Sequence, residues 1–216
     1  CENIKPAKGE VGTHRNLEDW EVQIIEDTHQ ENPMGLFAMV MLYAGLRRGE
    51  ALALDIDKDV DFENGVIHVR HSLRVEHSSC VIVQPKTKAG IRDVPLFLPL
   101  RKALTGKHGS IFTPKDGKKM SMNDVDVEWR RYLSFLSSVA KKKIVIRQHD
   151  CRHTFATMLY DADVDIKTAV KWMGHANEEM IMRIYAHLTA KKEESAVKKV
   201  ENVLARRASS QNGSQT

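Results

Sequence analysis

The sequence has few cysteines and no long apolar run. Its three cysteines, Cys1, Cys80 and Cys151, are an odd number without the spacing of a disulfide framework. No apolar stretch reaches the roughly 20 residues that cross a membrane, and no signal-peptide pattern is visible. These absences argue against a disulfide-stapled secreted protein and against an integral membrane protein. They predict a reduced, cytoplasmic setting.

The sequence also lacks the usual signatures of a nucleotide or metal site. It contains no Walker-type glycine loop and no obvious carboxylate cluster for Mg²⁺. His149, Cys151 and His153 are clustered, and His77 lies three residues before Cys80. However, alternate residues of a helix point in different directions, and no second spaced pair completes a tetrahedral zinc set. We therefore predict neither a bound metal nor another cofactor.

Length and charge leave room for one large domain with an anionic partner. The chain has 216 residues, of which 42% are hydrophobic, and this is enough to bury a good core. Its formal net charge is +4. Such a mild excess of positive charge permits a nucleic-acid partner but does not demand one.

Helical patterns occupy both ends of the chain. Asn16 is a candidate N-cap of a first helix, and Pro33 suits the first turn of a second helix. The second helix is apolar on nearly every face, so it should be buried, and Gly45 can end it. A short helix follows over residues 50–54. Later helices are predicted near residues 97–105, 121–138, 148–160, 163–173, 177–187 and 190–207.

The middle of the chain predicts a small antiparallel sheet over residues 56–95. Asn64-Gly65 is a strong hairpin signal. Alternating apolar and polar residues after it indicate a half-buried strand through Leu73, and residues 80–83 and 91–94 read as two further strands. The predicted fold class is therefore α+β, mainly helical with a small antiparallel sheet or hairpin.

Four motifs carry the candidate chemistry. Arg47 lies in AGLRRGEALAL, His149 and Arg152 lie in QHDCRHTF, His175 lies in MGHA, and Tyr185 lies in RIYAH. Arginine binds a phosphate through a planar fork and stays charged, and histidine transfers protons near neutral pH. Taken singly, each residue is more often a core or surface residue. Taken in this order, they favour metal-free attack of a phenol on a phosphodiester.

This set resembles the catalytic domain of the tyrosine recombinases, the phage-integrase superfamily, from about Leu17 to Leu188. The segment KTKAGIRDVPL most resembles the corresponding segment in integrases of bacterial conjugative transposons. The family often has nine residues from the second histidine to the tyrosine, whereas His175 and Tyr185 are ten apart.

The resemblance implies a role for each motif residue. Arg47, Arg152 and His175 would stabilise the pentavalent phosphorane, with Glu50 as a structural partner of Arg47. Tyr185 would be the nucleophile. His149 would be its acid or base, and Lys86 in a hairpin turn would protonate the leaving 5′ oxygen. Lys88, two residues away, is the alternative for that last role.

The implied activity is site-specific DNA recombination through a 3′-phosphotyrosyl intermediate, which integrates and excises a mobile element without metal or ATP. The alternatives are a type IB topoisomerase-like enzyme, a telomere resolvase, or an inactive DNA-binding relative. The implied partners are double-stranded DNA, further copies of the chain, and an accessory excision factor.

These implications predict a division of the chain into four parts. Residues 1–16 would be a linker from an upstream DNA-binding region, and residues 17–189 the catalytic domain. Residues 190–207 would form an amphipathic helix that docks on a neighbouring subunit. The alternative is that its Val/Leu stripe packs back on its own domain. Residues 208–216 would be a disordered tail.

Overall fold

A computed structural model of the chain describes residues 15–76, 79–85, 90–111, 122–174 and 179–212. Helices dominate these residues, and the strands are short and antiparallel, which confirms the predicted fold class. The helices are α1 (Asp19–Thr28), α2 (Pro33–Tyr43), α3 (Arg48–Ala53), α4 (Ile56–Asp59), α5 (Leu98–Leu104), α6 (Met122–Ala140), α7 (Gln148–Asp161), α8 (Ile166–Met173) and α9 (Glu179–Asn212). The strands are β1 (Val60–Asp61), β2 (Val66–Val69), β3 (Ser72–Glu76), β4 (Ser79–Val83) and β5 (Arg92–Pro95).

Helix α2 is the centre of the core. It carries no charged residue, so every side of it can be buried, and it packs against α1, α3, α5, α6 and α7. Asn32 caps its first turn by accepting a hydrogen bond from the Met34 amide at 2.9 Å, with Pro33 next in the chain. The helix ends at Tyr43, just before Gly45, whose backbone is left-handed at φ +59°. This agrees with the prediction from sequence.

The first helix is capped differently from the prediction. Glu18 is the N-cap of α1, and its amide donates to the Glu21 carboxylate at 2.9 Å. Asn16 instead accepts a hydrogen bond from the Thr157 hydroxyl at 2.8 Å. The Asn16 carboxamide therefore fastens the N-terminal segment to α7 rather than capping a helix, and the predicted cap was wrong.

The strands form two sheets where the sequence predicted one. Strands β1, β2 and β5 form the first sheet, and β3 and β4 form the second. The predicted single strand through Leu73 is broken between β2 and β3, where Arg70 turns its guanidinium towards β5 and donates to the Arg92 carbonyl at 3.0 Å. Gly65 has a φ of +66° in the turn between β1 and β2, as the Asn64-Gly65 signal predicted.

The C-terminal part of the described chain is one helix. The sequence predicted a helix ending near residue 187, a second helix from residue 190, and a disordered tail from residue 208. Helix α9 runs unbroken from Glu179 to Asn212, so the predicted helix boundaries between residues 187 and 207 were wrong. The helix also includes residues 208–212 of the predicted tail, and residues 213–216 lie outside the described residues. No glycine or proline lies between residues 179 and 212 to end it. Its first turns pack on α7 and α8, whereas Val197 and Val200 are 56% and 57% exposed.

Among the residues that the structure describes, no helix has both the length and the apolar character needed to cross a membrane.

The core predicts a large cost for truncating Phe37. This side chain is fully buried on α2 and meets the Trp129 ring edge-on at 5.9 Å between centroids. We expect Phe37→Ala to lower the free energy of unfolding by about 3–5 kcal/mol in urea denaturation, because it removes packed ring atoms and leaves a cavity. Leu98→Ala, at a side chain that is 62% exposed, should change it by less than about 0.5 kcal/mol. Equal effects of the two substitutions would contradict this packing.

Candidate active site

Three arginines from distant parts of the chain meet at the C-terminal end of α8. Arg92 Nε donates to the Trp172 carbonyl, Arg152 Nη2 to the Met173 carbonyl and Arg47 Nη2 to the Gly174 carbonyl, each at 2.6 Å. The last carbonyls of a helix have no partner inside the helix and carry its partial negative charge. This helix end therefore holds the three cations, Arg47, Arg92 and Arg152, which we call the arginine cluster.

Local backbone geometry delivers each of these side chains. Gly174 ends α8 in a left-handed conformation at φ +64°, so the helix stops here and its last carbonyls accept hydrogen bonds from the arginines. Arg152 projects from α7 and also donates to the Gly45 carbonyl. Gly45 must be small, because a Cβ there would lie 2.3 Å from the Phe155 ring of α7. Arg47 follows at the N-cap of α3.

Glu50 is the carboxylate within the cluster. Its side chain is buried, and it accepts hydrogen bonds from the Arg47 amide and Nη1 and from both Nη atoms of Arg92, at 2.8–3.1 Å. Burial alone raises the pKa of a carboxyl, but Arg92 and then Arg47 outweigh burial and lower the pKa of Glu50 to about 2. Glu50 is therefore ionised at neutral pH.

The four side chains of this group carry an excess of positive charge. Three guanidinium groups face one carboxylate, so positive charges outnumber negative ones by two. Burial, followed by the like charge of Arg47, lowers the pKa of Arg152 to about 9, and Glu50 only partly offsets this. Arg152 remains charged at neutral pH, and a bound anion would relieve the repulsion.

Tyr185 lies at the opposite end of α8. Its hydroxyl donates to the Val164 carbonyl at 3.2 Å, two residues before the helix begins, and its ring meets the Tyr160 ring edge-on at 5.0 Å. The eight residues of α8 span roughly 12 Å, so the phenol is bound about one helix length from the arginine cluster. Burial and the charge of Asp165 raise the pKa of the phenol.

Tyr160 also fixes the helix that carries Tyr185. Its hydroxyl is hydrogen-bonded to Thr189 Oγ1 at 3.0 Å, and Lys192 Nζ lies 4.2 Å from its ring centroid. Lys192 in turn pairs with Asp161 at 3.1 Å. Tyr185, Thr189 and Lys192 lie on successive turns of α9, so Tyr160 contacts about two turns of the helix and holds the phenol in its present place.

The structure brings only some of the predicted residues together. Arg47 and Arg152 meet, and Tyr185 lies apart from them. His149 is exposed on α7, although Arg152 three residues later is buried, so their shared helix does not give them equal surroundings. Lys86, Lys88 and His175 lie outside the described residues. Cys151 is fully buried while His149 faces outward, an arrangement unlike a shared metal site.

Arg92 is the member of the cluster that was not predicted from the sequence. The strand near it was predicted over residues 91–94, with Ile91 as its first apolar residue. In the structure β5 begins at Arg92, and Arg92 and Val94 face inward while Ile91 is exposed. Counting back by two from Val94 would have placed Arg92 on the buried face, where a charge requires a partner.

Comparison with known families gives a match over most of the chain. The model of the phage integrase family matches residues 17–192.

Relatives of known function cover a similar part of the chain. A XerC-like tyrosine recombinase of Caldanaerobacter subterraneus is 25% identical over 86% of this chain and 53% of its own length. The prophage integrase IntR of Escherichia coli is 28% identical over 85% of this chain and 51% of its own length. The transposase of transposon Tn916 from Enterococcus faecalis is 29% identical over 70% of this chain and 41% of its own length. The chain thus spans about half the length of the first two relatives and less than half the length of the third.

Solved structures have the same fold. The integrase of transposon Tn1549, in complex with circular intermediate DNA, superposes with a TM-score of 0.70 at 25% identity, covering 88% of this chain and 68% of that one. The catalytic domain of bacteriophage HP1 integrase superposes with a TM-score of 0.52 at 24% identity, covering 86% and 95%, and this likeness concerns the fold alone.

The ionised state of Glu50 predicts an acid-sensitive contribution to stability. A carboxyl whose pKa is lower in the folded state stabilises the fold above its ordinary pKa of 4.5, and that contribution is lost as the pH falls towards 2. The difference in unfolding free energy between the wild type and Glu50→Gln should therefore shrink by about 3 kcal/mol over this window in urea denaturation. Glu63→Gln, on an exposed turn, serves as the control. A difference that stays constant with pH would contradict the charge pairing of Glu50.

Proposed function

The chain belongs to the phage integrase family, and from this premise we propose that it is a site-specific DNA recombinase that cleaves and rejoins strands through Tyr185. The observation that carries the proposal is the arginine cluster at the end of α8. The family motifs assign binding of the scissile phosphate to two of its members, Arg47 and Arg152.

The cluster has the charge that phosphoryl transfer requires. A phosphodiester resists attack because it is anionic, and its pentavalent transition state gains charge on the non-bridging oxygens. Arg47 Nη1 donates to Glu50 and Nη2 to the Gly174 carbonyl, but the side chain is still 39% exposed, so a phosphate oxygen would bind the N–H groups of its exposed edge. The excess of positive charge around Arg152 would be neutralised by an anionic ligand such as a phosphate.

The proposed reaction is a balanced transesterification. The Tyr185 phenol loses its proton to a base, for which His149 is the candidate, and its oxygen forms a bond to phosphorus. The bond from phosphorus to the 5′ oxygen breaks, and Lys86, or else Lys88, supplies the proton that makes a free 5′-OH. His175 would donate to a non-bridging oxygen. A 5′-OH from a partner strand then reverses the step, so no metal or ATP is consumed.

This reaction requires Tyr185 to leave the place it occupies here. Its phenol is bound to Val164 about one helix length from the arginine cluster, and Tyr160 holds the neighbouring turns of α9. The described conformation is therefore a resting one. Docking of DNA would have to shift the start of α9 relative to α8 before cleavage.

The relatives support a role with a mobile element. Among them are a transposase of Tn916 and an integrase of Tn1549 in complex with circular intermediate DNA. We propose that this chain likewise acts on double-stranded DNA at the ends of an element, in the cytoplasm and associated with the nucleoid. The type IB topoisomerase and resolvase alternatives differ by product, because a topoisomerase reseals the same strand.

The exposed end of α9 supports assembly of several copies on DNA. Val197 and Val200 stand on a helix whose described contacts with the rest of the chain end near Lys192. Their exposure in the single chain argues against the alternative that this stripe packs back on its own domain. We propose that it docks on a neighbouring subunit, and that an accessory factor directs excision.

The nucleophile is tested by covalent trapping. The chain is mixed with a nicked duplex that carries the end of the element and loses a short 5′ fragment after cleavage. We expect a protein–DNA adduct on a denaturing gel, and no adduct with Tyr185→Phe, because a phenyl ring lacks the attacking oxygen. Tyr160→Phe is the matched control and should keep the adduct. An adduct that survives Tyr185→Phe would assign the attack to another residue.

The role of α9 in assembly is tested on duplexes with one or two binding sites. The double substitution Val197→Glu and Val200→Glu should leave binding to one site unchanged, since both side chains are more than half exposed. The double substitution should reduce formation of the two-site complex at least tenfold in a gel-shift titration, because it places charge in an apolar interface. Val139→Glu, on the exposed part of α6, is the control. Unchanged two-site assembly would refute docking through this stripe.

A further inference from the structure

Arg92 occupies the inner side of the arginine cluster. Its side chain is 2% exposed, whereas that of Arg47 is 39% exposed. Arg92 donates to both oxygens of Glu50, to the Trp172 carbonyl and, at 3.3 Å, to the Gly90 carbonyl. A guanidinium so enclosed cannot reach a phosphate that approaches from solvent. Its charge must act through a neighbour.

We propose that Arg92 is a positioning residue that aims the Arg47 guanidinium at the scissile phosphate through Glu50. The proposal rests on the proposed function, because it takes Arg47 as a phosphate-binding residue.

The carboxylate of Glu50 links the two arginines atom by atom. Its Oε1 accepts from Arg47 Nη1 at 2.8 Å and from Arg92 Nη1 at 3.1 Å. Its Oε2 accepts from the Arg47 amide and from Arg92 Nη2, both at 2.8 Å. Each oxygen is thus shared by the two residues. Arg92 fixes the plane of the carboxylate, and the carboxylate fixes the direction of the Arg47 fork.

The backbone on both sides makes Arg92 itself immobile. It lies on β5, and its Nε is bonded to the Trp172 carbonyl at the end of α8. A Cβ on Gly174 would lie 2.5 Å from Arg92 Nη1, so the guanidinium packs directly against the glycine and leaves no room for a side chain there. Arg92 therefore holds Glu50 against two rigid elements, and Arg47 bonds the Gly174 carbonyl, two residues further along the same helix end.

A purely structural ion pair is the competing explanation. Buried ion pairs can often be replaced by apolar residues without loss of stability, so burial alone does not establish a role in the reaction. The two explanations differ in coupling. A positioning residue loses its effect once Arg47 is absent, whereas an independent structural defect adds to the loss of Arg47.

The test is a double-mutant cycle on the rate of adduct formation at saturating nicked duplex. We expect Arg92→Met to slow the wild-type rate on the order of 10²-fold, as for loss of a preorganised donor, with little change in duplex affinity. Arg92→Lys should form the adduct at a rate between those of the wild type and Arg92→Met, because an ammonium keeps the charge but cannot fork to both Glu50 oxygens. Arg47→Ala with Arg92→Met should be no slower than Arg47→Ala alone. If the rate losses of the two single variants multiply in the double variant, the proposal is overturned.

A second readout needs no activity. The ¹⁵N relaxation of the Arg47 side-chain Nε–H group in the DNA-free chain reports how firmly that guanidinium is held. Arg92→Met should make it more mobile, and Arg101→Met, which removes an arginine that donates to the Phe62 carbonyl outside the cluster, should not. If Arg92→Met unfolds the chain, Arg92→Lys is examined instead, because it keeps the buried charge and the Glu50 carboxylate but cannot fork to both Glu50 oxygens. Unchanged Arg47 relaxation would refute positioning.

The outcomes separate the two proposals. If the wild type forms no adduct but Arg92→Met frees Arg47, the recombinase function fails and the positioning contact stands as a structural fact. If the wild type forms an adduct and Arg92→Met forms it at the same rate, the positioning role fails and the recombinase function stands.

Discussion

The bonds between three arginines and the last carbonyls of α8 are the constraint on which the site depends. They join α3, β5 and α7 to a single helix end, at which Gly174 stops the helix. Like charges held this closely repel one another, and one buried carboxylate, Glu50, compensates for only part of that repulsion. The helix end and Glu50 together hold the cations in place before any DNA arrives, so the site is preorganised for an anion and strained without one.

The proposed nucleophile, Tyr185, is placed by a different set of contacts. Tyr185 is bound at the start of α8 through Val164, and Tyr160 holds the following turns of α9. One short helix thus separates the phenol from the arginine cluster in the described state. Under the proposed function, this separation keeps the phenol away from a phosphate bound at the cluster. Since α9 is unbroken to Asn212, the proposed docking of a neighbouring subunit on its exposed end would act on the same helix that carries Tyr185.

Local sequence patterns were enough to predict the central helix and two residues of the arginine cluster. The uncharged run after Pro33 identified the central helix, and the motifs around Arg47 and Arg152 identified two members of the cluster. Arg92 was missed because its partner Glu50 lies 42 residues away in sequence and no local pattern joins them. The resting place of Tyr185 was equally unpredictable, because it depends on how α9 packs against α7 and α8. The unbroken α9 shows that a polar stretch without glycine or proline can continue a helix where a change of pattern suggests a boundary.

The most direct measurement is ¹⁹F NMR of 3-fluorotyrosine placed only at position 185, with and without the intact element-end duplex. A cleavable duplex and one with a non-cleavable scissile linkage should both be used. If Tyr185 rests on Val164 and must travel along α8, its resonance should shift from a buried to a new position with either duplex, before any adduct forms. A resonance that stays unchanged with bound DNA while the cleavable duplex is cut would contradict the resting conformation and the movement inferred from it.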